Sequence, residues 1–164
     1  MKFKLLAACL IFVLLGCNKN NQPYHTEQNI NVVLSGKIEI PIKIEHHMPV
    51  VECIINDKKA RMILDTAASV VCIFEDKIDK FGIKVVGRRD TSGYTAEGFK
   101  KRRGRVGDKI KILFEDKIII DIEYLSILPK HPHDVDGIIS APLLSILNGI
   151  IDFTNKRLVL GKSK

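Results

Sequence analysis

One carboxylate in this chain lies where it could do chemistry. Asp65 ends an apolar strand pattern, and four small residues follow it: Thr66, Ala67, Ala68 and Ser69. An ionisable group at the end of a buried strand is costly unless it is hydrogen-bonded or used, which makes Asp65 a candidate functional group. A plain turn would also place Asp here, because Asp hydrogen-bonds its own backbone in turns. The residues alone leave both interpretations open.

Two later segments add to this motif. Asp136-Gly137 precedes the hydrophobic pair Ile138-Ile139, then Ser140 and a short helical pattern. Residues 151–160 have the pattern of a terminal hairpin. In their order and spacing, the three segments resemble the signatures of the retropepsin-like aspartic peptidases, which have a hydrophobic run before Asp-Thr/Ser-Gly and a later Asp-Gly before two hydrophobic residues. The resemblance covers roughly residues 37–161.

The resemblance implies a small, closed, barrel-like acid-protease fold and an aspartic endopeptidase with Asp65 as its catalytic residue. Two carboxylates must share one proton in this chemistry, and the chain carries a single Asp-Thr motif. The second Asp65 would therefore come from a second copy, with Thr66 bonding across a twofold axis. The expected partner is a peptide or protein substrate, and neither a cofactor nor a metal is implied.

The chain departs from the family pattern at two positions. The family has glycine where this sequence has Ala67, and again where it has Ser140. Those glycines lie where backbone segments approach closely, and glycine tolerates unusual dihedral angles freely. A second hypothesis is therefore a catalytically inactive retropepsin-like protein that acts as a binding or assembly module.

Short strands with two short helices are predicted to position these residues. The chain has 24 Ile, no Trp and an apolar fraction of 46%, a composition that favours strands. The expected strands are Ile38–Ile44, Met48–Ile55, Ala60–Leu64, Val70–Phe74, Ile110–Phe114, Lys117–Ile122, Ile138–Ile139, Ile150–Phe153 and Arg157–Leu160. Helical patterns cover Glu75–Phe81, closed by Gly82, and Ala141–Leu147. The predicted class is mainly β.

The first residues have the pattern of an export signal. Lys2 and Lys4 precede an apolar run of eleven residues, Leu5–Leu15. Such a run spans about 16 Å as a helix, which is short of a bilayer's hydrocarbon core. Leu14-Leu15-Gly16-Cys17 resembles the bacterial lipobox, which implies cleavage before Cys17 and lipid attachment to it. We therefore expect a lipoprotein signal peptide over 1–16, a flexible tether over 17–36, and a domain over 37–164 anchored in the bacterial cell envelope, facing the periplasm or the surface.

The positive charge is concentrated in one region. The net charge is +7, and residues 84–111 alone hold ten Lys/Arg against three acidic residues. By the resemblance this region includes the flap, a mobile hairpin over the substrate, with Gly93, Tyr94 and Gly98 as candidate tip residues. Preference for acidic substrates, contact with anionic lipid and a merely solvated loop remain open. Nucleic acid is not an expected partner, because aromatic residues are sparse there.

Histidine and cysteine residues offer weaker signals. His131, His133, Asp134 and Asp136 could ligate a metal, but a loop that leads into the second signature is the favoured interpretation, and no metal site is predicted. The four cysteines lack the paired spacing of a zinc site. Cys53 and Cys72 fall in strand patterns and are expected to be buried free thiols, with a disulfide as the alternative.

Overall fold

The computed structural model describes residues 28–95 and 98–161. These residues form thirteen strands and two short α-helices. The strands are β1 (Asn29–Leu34), β2 (Ile38–Glu45), β3 (Met48–Ile55), β4 (Lys58–Asp65), β5 (Cys72–Phe74), β6 (Val85–Thr95), β7 (Gly98–Gly107), β8 (Lys109–Phe114), β9 (Ile118–Glu123), β10 (Ser126–Leu128), β11 (Gly137–Ser140), β12 (Ile150–Asp152) and β13 (Arg157–Leu160). The helices are α1 (Ile78–Phe81), which follows a 3-10 turn over Glu75–Lys77, and α2 (Ala141–Ile146).

The strands form one sheet that curls into a half barrel. Its main path runs β1-β9-β8-β3-β4-β11-β5-β10-β7-β6, and β2, β13 and β12 branch from β3. Most neighbours are antiparallel, but β11 is parallel to β4, and β10 is parallel to β5. The mainly β class with two short helices is therefore confirmed.

Tight turns with left-handed backbone explain the hairpins. Asn56 and Asp57 have positive φ values of 45° and 65° between β3 and β4, and Glu115 and Asp116 have 48° and 53° between β8 and β9. Two consecutive left-handed residues match the right-handed twist of paired strands, and Asn and Asp tolerate this conformation. Each of these turns connects two strands that the sequence predicted.

The core lies inside the curled sheet and consists largely of isoleucine. Strand β2 alternates buried and exposed positions through Ile38, Ile40 and Ile42. Pro41 sits where β2 leaves β13 and begins to pair with β3, so its missing N–H disturbs neither ladder. A second, smaller cluster consists of Val50, Ile63, Phe74 and Val135.

The folded domain begins before the predicted boundary at residue 37. Residues 29–34 form β1, which pairs with β9 along its whole length, so a flexible tether over 17–36 is wrong for this part. The sequence signal was an alternation of Ile30, Val32 and Leu34 with polar neighbours, and these three side chains pack against the main core. The signal peptide and Cys17 lie outside the described residues. Within the described ranges, none of the helices has the length and apolar character needed to cross a membrane.

Candidate active site

Parallel pairing of β4 and β11 brings the first two sequence signatures together. Met62 of β4 is in register with Gly137, and Asp65 at the end of β4 is in register with Ser140. Strand β5, which follows the Asp65 loop, pairs with the other side of β11. The second signature thus lies between the strand that leads into the Asp65 loop and the strand that leaves it.

Backbone hydrogen bonds hold the Asp65 loop in one conformation. The Ala67 N–H donates to Asp65 Oδ1 at 2.8 Å, and the Ala68 N–H donates to the Asp65 carbonyl at 3.3 Å. Ala141 at the start of α2 donates its N–H to the Ala68 carbonyl at 3.1 Å, which ties the loop to the helix. Asp65 is half-buried, whereas Thr66, Ala67 and Ser69 are exposed. The carboxylate is therefore positioned by a rigid strand and accessible from the loop side.

The backbone accepts alanine and serine where the family has glycine. Ala67 is not among the described residues with positive φ, and Ser140 has φ −89° and ψ 161°. Neither position needs the left-handed conformation that favours glycine. The two departures therefore impose no backbone strain on the loop.

Ser140 carries an unusual polar atom. It is 0% exposed, and its Oγ is a buried side-chain oxygen without a hydrogen-bond partner among the described residues. It also leaves the N-terminus of α2 without a side-chain cap. An unsatisfied buried hydroxyl costs about 1–3 kcal/mol, so Ser140 destabilises the fold locally beside Asp65.

Gly137 is required by close packing. A Cβ at this position would lie 2.2 Å from the Cys72 carbonyl oxygen and 2.9 Å from Met62 Cε. Met62 Cε is the end of a flexible side chain and can move aside, but the Cys72 carbonyl belongs to the backbone of β5, so that contact can be relieved only if a strand moves. The glycine of the second signature therefore allows three strands to pack at the base of the site.

Asp136 is a structural carboxylate. Its Oδ1 and Oδ2 lie 2.9 and 3.0 Å from Lys80 Nζ, and Oδ2 also accepts the Arg61 N–H at 2.8 Å. The Asp136 N–H donates to the Arg61 carbonyl at 2.8 Å, and the Asp136 carbonyl accepts the Phe74 N–H at 3.0 Å. With its charge buried and fully engaged, Asp136 joins α1, β4 and the end of β5 rather than facing the Asp65 loop.

An ion-pair network surrounds this buried carboxylate. The Arg61 guanidinium contacts Glu45 and the Asp134 carbonyl, and Lys77 Nζ lies 3.0 Å from Asp134 Oδ1. The bond from Lys77 lowers the pKa of Asp134, and the bond to Glu45 raises the pKa of Arg61. The loop before β11 is thus attached to β2, β4 and the turn before α1.

Three histidine side chains lie together beside this ion-pair network. His46, in the β2–β3 turn, stacks on His133 with ring centroids 3.7 Å apart and planes 7° apart, and His131 lies 5.4 Å from His133. The predicted loop interpretation for residues 131–134 agrees with this arrangement, and no set of three His, Cys, Asp or Glu side chains in the described part could hold a metal ion. Burial, and then the proximity of His46 and His131, lowers the pKa of His133.

Acidification is expected to destabilise the domain through this stack. Because the pKa of His133 is lower in the folded state than the unfolded value of about 6.5, protons bind the unfolded chain more tightly. The stabilisation is complete above that value and decreases as the pH falls through the folded pKa. A His133→Phe variant keeps an aromatic ring on His46 without a charge, so its melting temperature should fall less between about pH 7.5 and pH 5.

His47→Asn is the matched control for this measurement. His47 is exposed in the same turn, has a positive φ of 66° that Asn accepts, and takes part in none of the ring contacts described above. Its pH dependence should equal that of the wild type. Equal pH dependence of His133→Phe and the wild type would show that the stack does not couple to protonation.

The candidate flap residues lie on a long hairpin away from this region of the sheet. In the β6–β7 register, Gly93 pairs with Lys100, Tyr94 with Phe99, and Thr95 with Gly98. The backbone of residues 85–95 and 98–107 therefore forms the two strands of the hairpin that the resemblance implied, and a role in covering substrate remains a prediction.

Two contacts near the site were not predicted. The Gln28 side chain donates to the Val71 carbonyl and accepts the Val71 N–H, both at 2.8 Å, so it pairs with the backbone just after the Asp65 loop. Lys80 compensates the charge of Asp136. Gln28 lies in a polar stretch and Lys80 in a short amphipathic helix. Their structural roles could therefore be recognised only once the structure showed their distant partners.

Both cysteines near the site are free and buried, as expected. Burial raises the pKa of Cys53 and of Cys72 to about 12. Thiolate is the reactive form of cysteine, so neither thiol is a nucleophile at neutral pH.

Comparisons with known proteins point to one family. A family model described as aspartyl protease matches residues 51–142, more than half of the chain. The chain is similar to the crystal structure of a retropepsin-like aspartic protease from Rickettsia conorii, at 18% identity and a TM-score of 0.49, covering 82% of this chain and 94% of that one. It is similar to the retroviral protease-like domain of Ddi1 from Leishmania major, at 17% identity and a TM-score of 0.49, covering 71% and 90%. A third similar structure is the EIAV protease complexed with the inhibitor HBY-793, at 16% identity and a TM-score of 0.45, covering 63% and 90%. The comparison with curated proteins found no match.

Proposed function

Because this chain belongs to the aspartyl protease family, we propose that it is an aspartic endopeptidase that works as a homodimer, with one Asp65 from each copy. The observation that supports this most is the position of Asp65. Its carboxylate ends a buried strand, lies in register with Ser140 of the second signature, and opens onto an exposed loop of small residues. An Asp that only stabilised its own turn would not need to lie in register with a distant segment of the chain.

The chemistry needs two carboxylates that share one proton. Like charges about 3 Å apart cannot both ionise, so one Asp65 stays protonated while the other is charged. The charged carboxylate takes a proton from water, which attacks the scissile carbonyl carbon. The protonated carboxyl donates its proton to the carbonyl oxygen, which gives a tetrahedral gem-diol intermediate. The carboxyl that took the proton from water then donates it to the amide nitrogen, and a hydroxyl of the intermediate returns a proton to the other carboxylate. The C–N bond breaks to a carboxylic acid and an amine, and the dyad again holds one proton. Asp136 cannot be the second member, because Lys80 and Arg61 engage it elsewhere.

Exposed apolar side chains at the end of α2 and in the segment after it support a dimer. Ile146, Ile150 and Phe153 are 47%, 62% and 59% exposed. Strand β12 pairs with β13 on one side, and no described strand pairs with its other edge. An open edge with exposed apolar groups favours covering by another chain, here a second copy. Because the first residue of α2 bonds to Ala68, this surface is connected to the Asp65 loop.

A Phe153→Asp variant is expected to be monomeric and to lose cleavage. The carboxylate would be buried without a partner at the dimer contact, which costs several kcal/mol, while in the monomer the position is exposed. Sedimentation velocity measures the state and peptide hydrolysis measures the activity. Val33→Asp is the matched control, because Val33 is also 59% exposed and lies on β1 at the far end of the sheet. If the Phe153→Asp protein is still dimeric, this surface is not the dimer contact. If a wild-type monomer cleaves peptides, a dimer is not needed for activity.

The proposed activity is tested with a diverse peptide library. The chain from Asn18 onward retains every described residue and lacks the segment that is expected to be cleaved off or lipidated. It is incubated with the library from about pH 4 to pH 8, beside an Asp65→Asn variant, and the products are read by mass spectrometry. Cleavage that depends on Asp65 supports the peptidase. A folded, dimeric protein without such cleavage would favour the inactive binding or assembly module.

Anchoring in the cell envelope is a further part of the proposal. Its support is the sequence Leu14-Leu15-Gly16-Cys17 after a positively charged start and an apolar run. Several acyl chains on Cys17 would hold the protein stably at a membrane, where a single chain is only marginal. Mass spectrometry of the mature protein tests this, since an unmodified Cys17 or an uncleaved start would contradict it.

A further inference from the structure

The base of the β6–β7 hairpin is strongly basic. Arg88 of β6 lies directly opposite Arg105 of β7 in the antiparallel register. Like charges in this arrangement destabilise a sheet, because the two side chains are cross-strand neighbours. The carboxylate of Glu75 approaches Arg105 only to 4.0 Å. The two arginines are thus cross-strand partners that line the same surface, where an anionic group would reduce their repulsion.

A cleft lies at the same place. Its volume is about 840 Å³, and Val85, Val86, Gly87, Arg88 and Arg105 line it. Val85 and Val86 are 42% and 54% exposed, so the cleft combines apolar surface with two cations. We call these five residues the basic cleft. Its composition suits a chain that has both apolar and carboxylate side chains, rather than a small inorganic anion.

The cleft also borders an open strand edge. Strand β6 is the last strand in the path of the sheet, and no described strand pairs with its outer edge. The register shifts between Val85 and Gly87, which produces a bulge next to the cleft. An open edge presents unpaired N–H and C=O groups to which an extended peptide can add as a further strand.

We propose that the basic cleft binds an extended acidic segment of a polypeptide, with its carboxylates on Arg88 and Arg105 and its backbone along the outer edge of β6. The planar fork of arginine matches a carboxylate with two parallel hydrogen bonds, which a lysine cannot do. That this segment belongs to the substrate rests on the proposed peptidase function. The cleft would then select acidic proteins at a distance from the bond that is cut.

The arrangement favours a peptide over an anionic membrane surface. An extended peptide can pair with the open edge of β6 through its backbone N–H and C=O groups, which a lipid surface cannot do. The chain that leads to the predicted lipid anchor enters through β1, which lies at the opposite end of the sheet path from β6. Binding to an anionic membrane is therefore the alternative that the test must distinguish from peptide binding.

The test measures binding without catalysis. All proteins carry Asp65→Asn, so that peptides stay intact and failure of the peptidase proposal does not affect the result. Fluorescence anisotropy follows a labelled Glu-rich peptide and the same peptide with Gln in place of Glu. The Glu peptide should bind more tightly, and its affinity should fall as NaCl rises from about 50 to 200 mM.

The variant Arg88→Gln/Arg105→Gln removes both cations and should weaken binding of the Glu peptide about tenfold, while the Gln peptide is unaffected. Lys58→Gln/Lys117→Gln is the matched control, since it removes the same charge from exposed positions at the start of β4 and in the β8–β9 turn. Its affinity should stay within about twofold of the parent. Thermal melting of each variant confirms that the fold is retained.

Three results would overturn the proposal. The first is equal binding of the Glu and Gln peptides, and the second is an equal loss of affinity in the control variant. The third is Arg88- and Arg105-dependent binding to phosphatidylglycerol vesicles by a protein that does not bind the Glu peptide, which would assign the surface to lipid.

Discussion

An Asp65→Asn variant is expected to cleave peptides about 10²–10⁴-fold more slowly than the wild type, while its fold stays intact. Asn has the same shape and can still accept the Ala67 N–H through its side-chain oxygen, so the loop geometry is retained. It can neither take a proton from water nor share one with its counterpart. The rate of peptide hydrolysis, measured beside the melting temperature, separates lost chemistry from lost structure.

Asp121→Asn is the control for this change. Asp121 is exposed on β9, which is separated from β4 by two strands. Its hydrolysis rate should match that of the wild type. Undiminished activity of Asp65→Asn, or an equal loss in both variants, would contradict the catalytic assignment of Asp65.

Mixed samples test whether the two copies share one active site. When equal amounts of wild-type and Asp65→Asn chains exchange freely, only about a quarter of the dimers contain two Asp65 residues. The activity should therefore fall to about a quarter of the wild-type value at the same total concentration, whereas independent sites would retain about half. A value near half would show that one chain is sufficient.

A Gly137→Ala variant is expected to destabilise the domain by about 3 kcal/mol or more, which lowers the melting temperature by roughly 10 °C. The added Cβ would lie 2.2 Å from the Cys72 carbonyl, and relief requires β5 or β11 to move. That movement would also disturb the pairing of Ser140 with Asp65, because both residues lie at the end of the same parallel ladder. Chemical and thermal unfolding measure the loss.

Gly87→Ala is the matched control for Gly137→Ala. A Cβ at Gly87 would meet nothing within 4 Å, and its φ lies outside the left-handed region. Its stability should therefore stay within about 0.5 kcal/mol of the wild type. If Gly137→Ala unfolds at the same temperature as Gly87→Ala, the three strands at the base of the site are packed more loosely than described.

Local sequence patterns were sufficient to predict most of the strands and both helices. The alternation in β2, the Asn56-Asp57 and Glu115-Asp116 turns, and the Pro142 helix start all depend on neighbouring residues, so they could be predicted from the sequence. The exceptions were β1, β10 and the β6–β7 pair, and of these only the β6–β7 hairpin was implied, by the family resemblance. The alternation in β1 is short and directly follows a polar stretch, and β10 has only three residues, Ser126–Leu128, so neither gave a strong local signal.

The pairing of distant segments needed the three-dimensional structure. The order of the signatures identified Asp65 and Gly137 as parts of one site, but not which carboxylate would be buried. Asp136 becomes structural because Lys80 and Arg61 reach it across 56 and 75 residues of chain. Similarly, Gln28 reaches Val71 across 43 residues, and His46 meets His133 only because the β2–β3 turn folds over the loop before β11.

The sequence by itself indicated the family through the resemblance of three motifs, and it indicated the mainly β class because alternation and turn chemistry act over a few neighbours. The tertiary structure alone decided that Asp65 lies beside Ser140, that glycine is indispensable at 137, and that Arg88 opposes Arg105. Those features depend on strand register, and register is set by how the whole apolar face is buried rather than by any short segment.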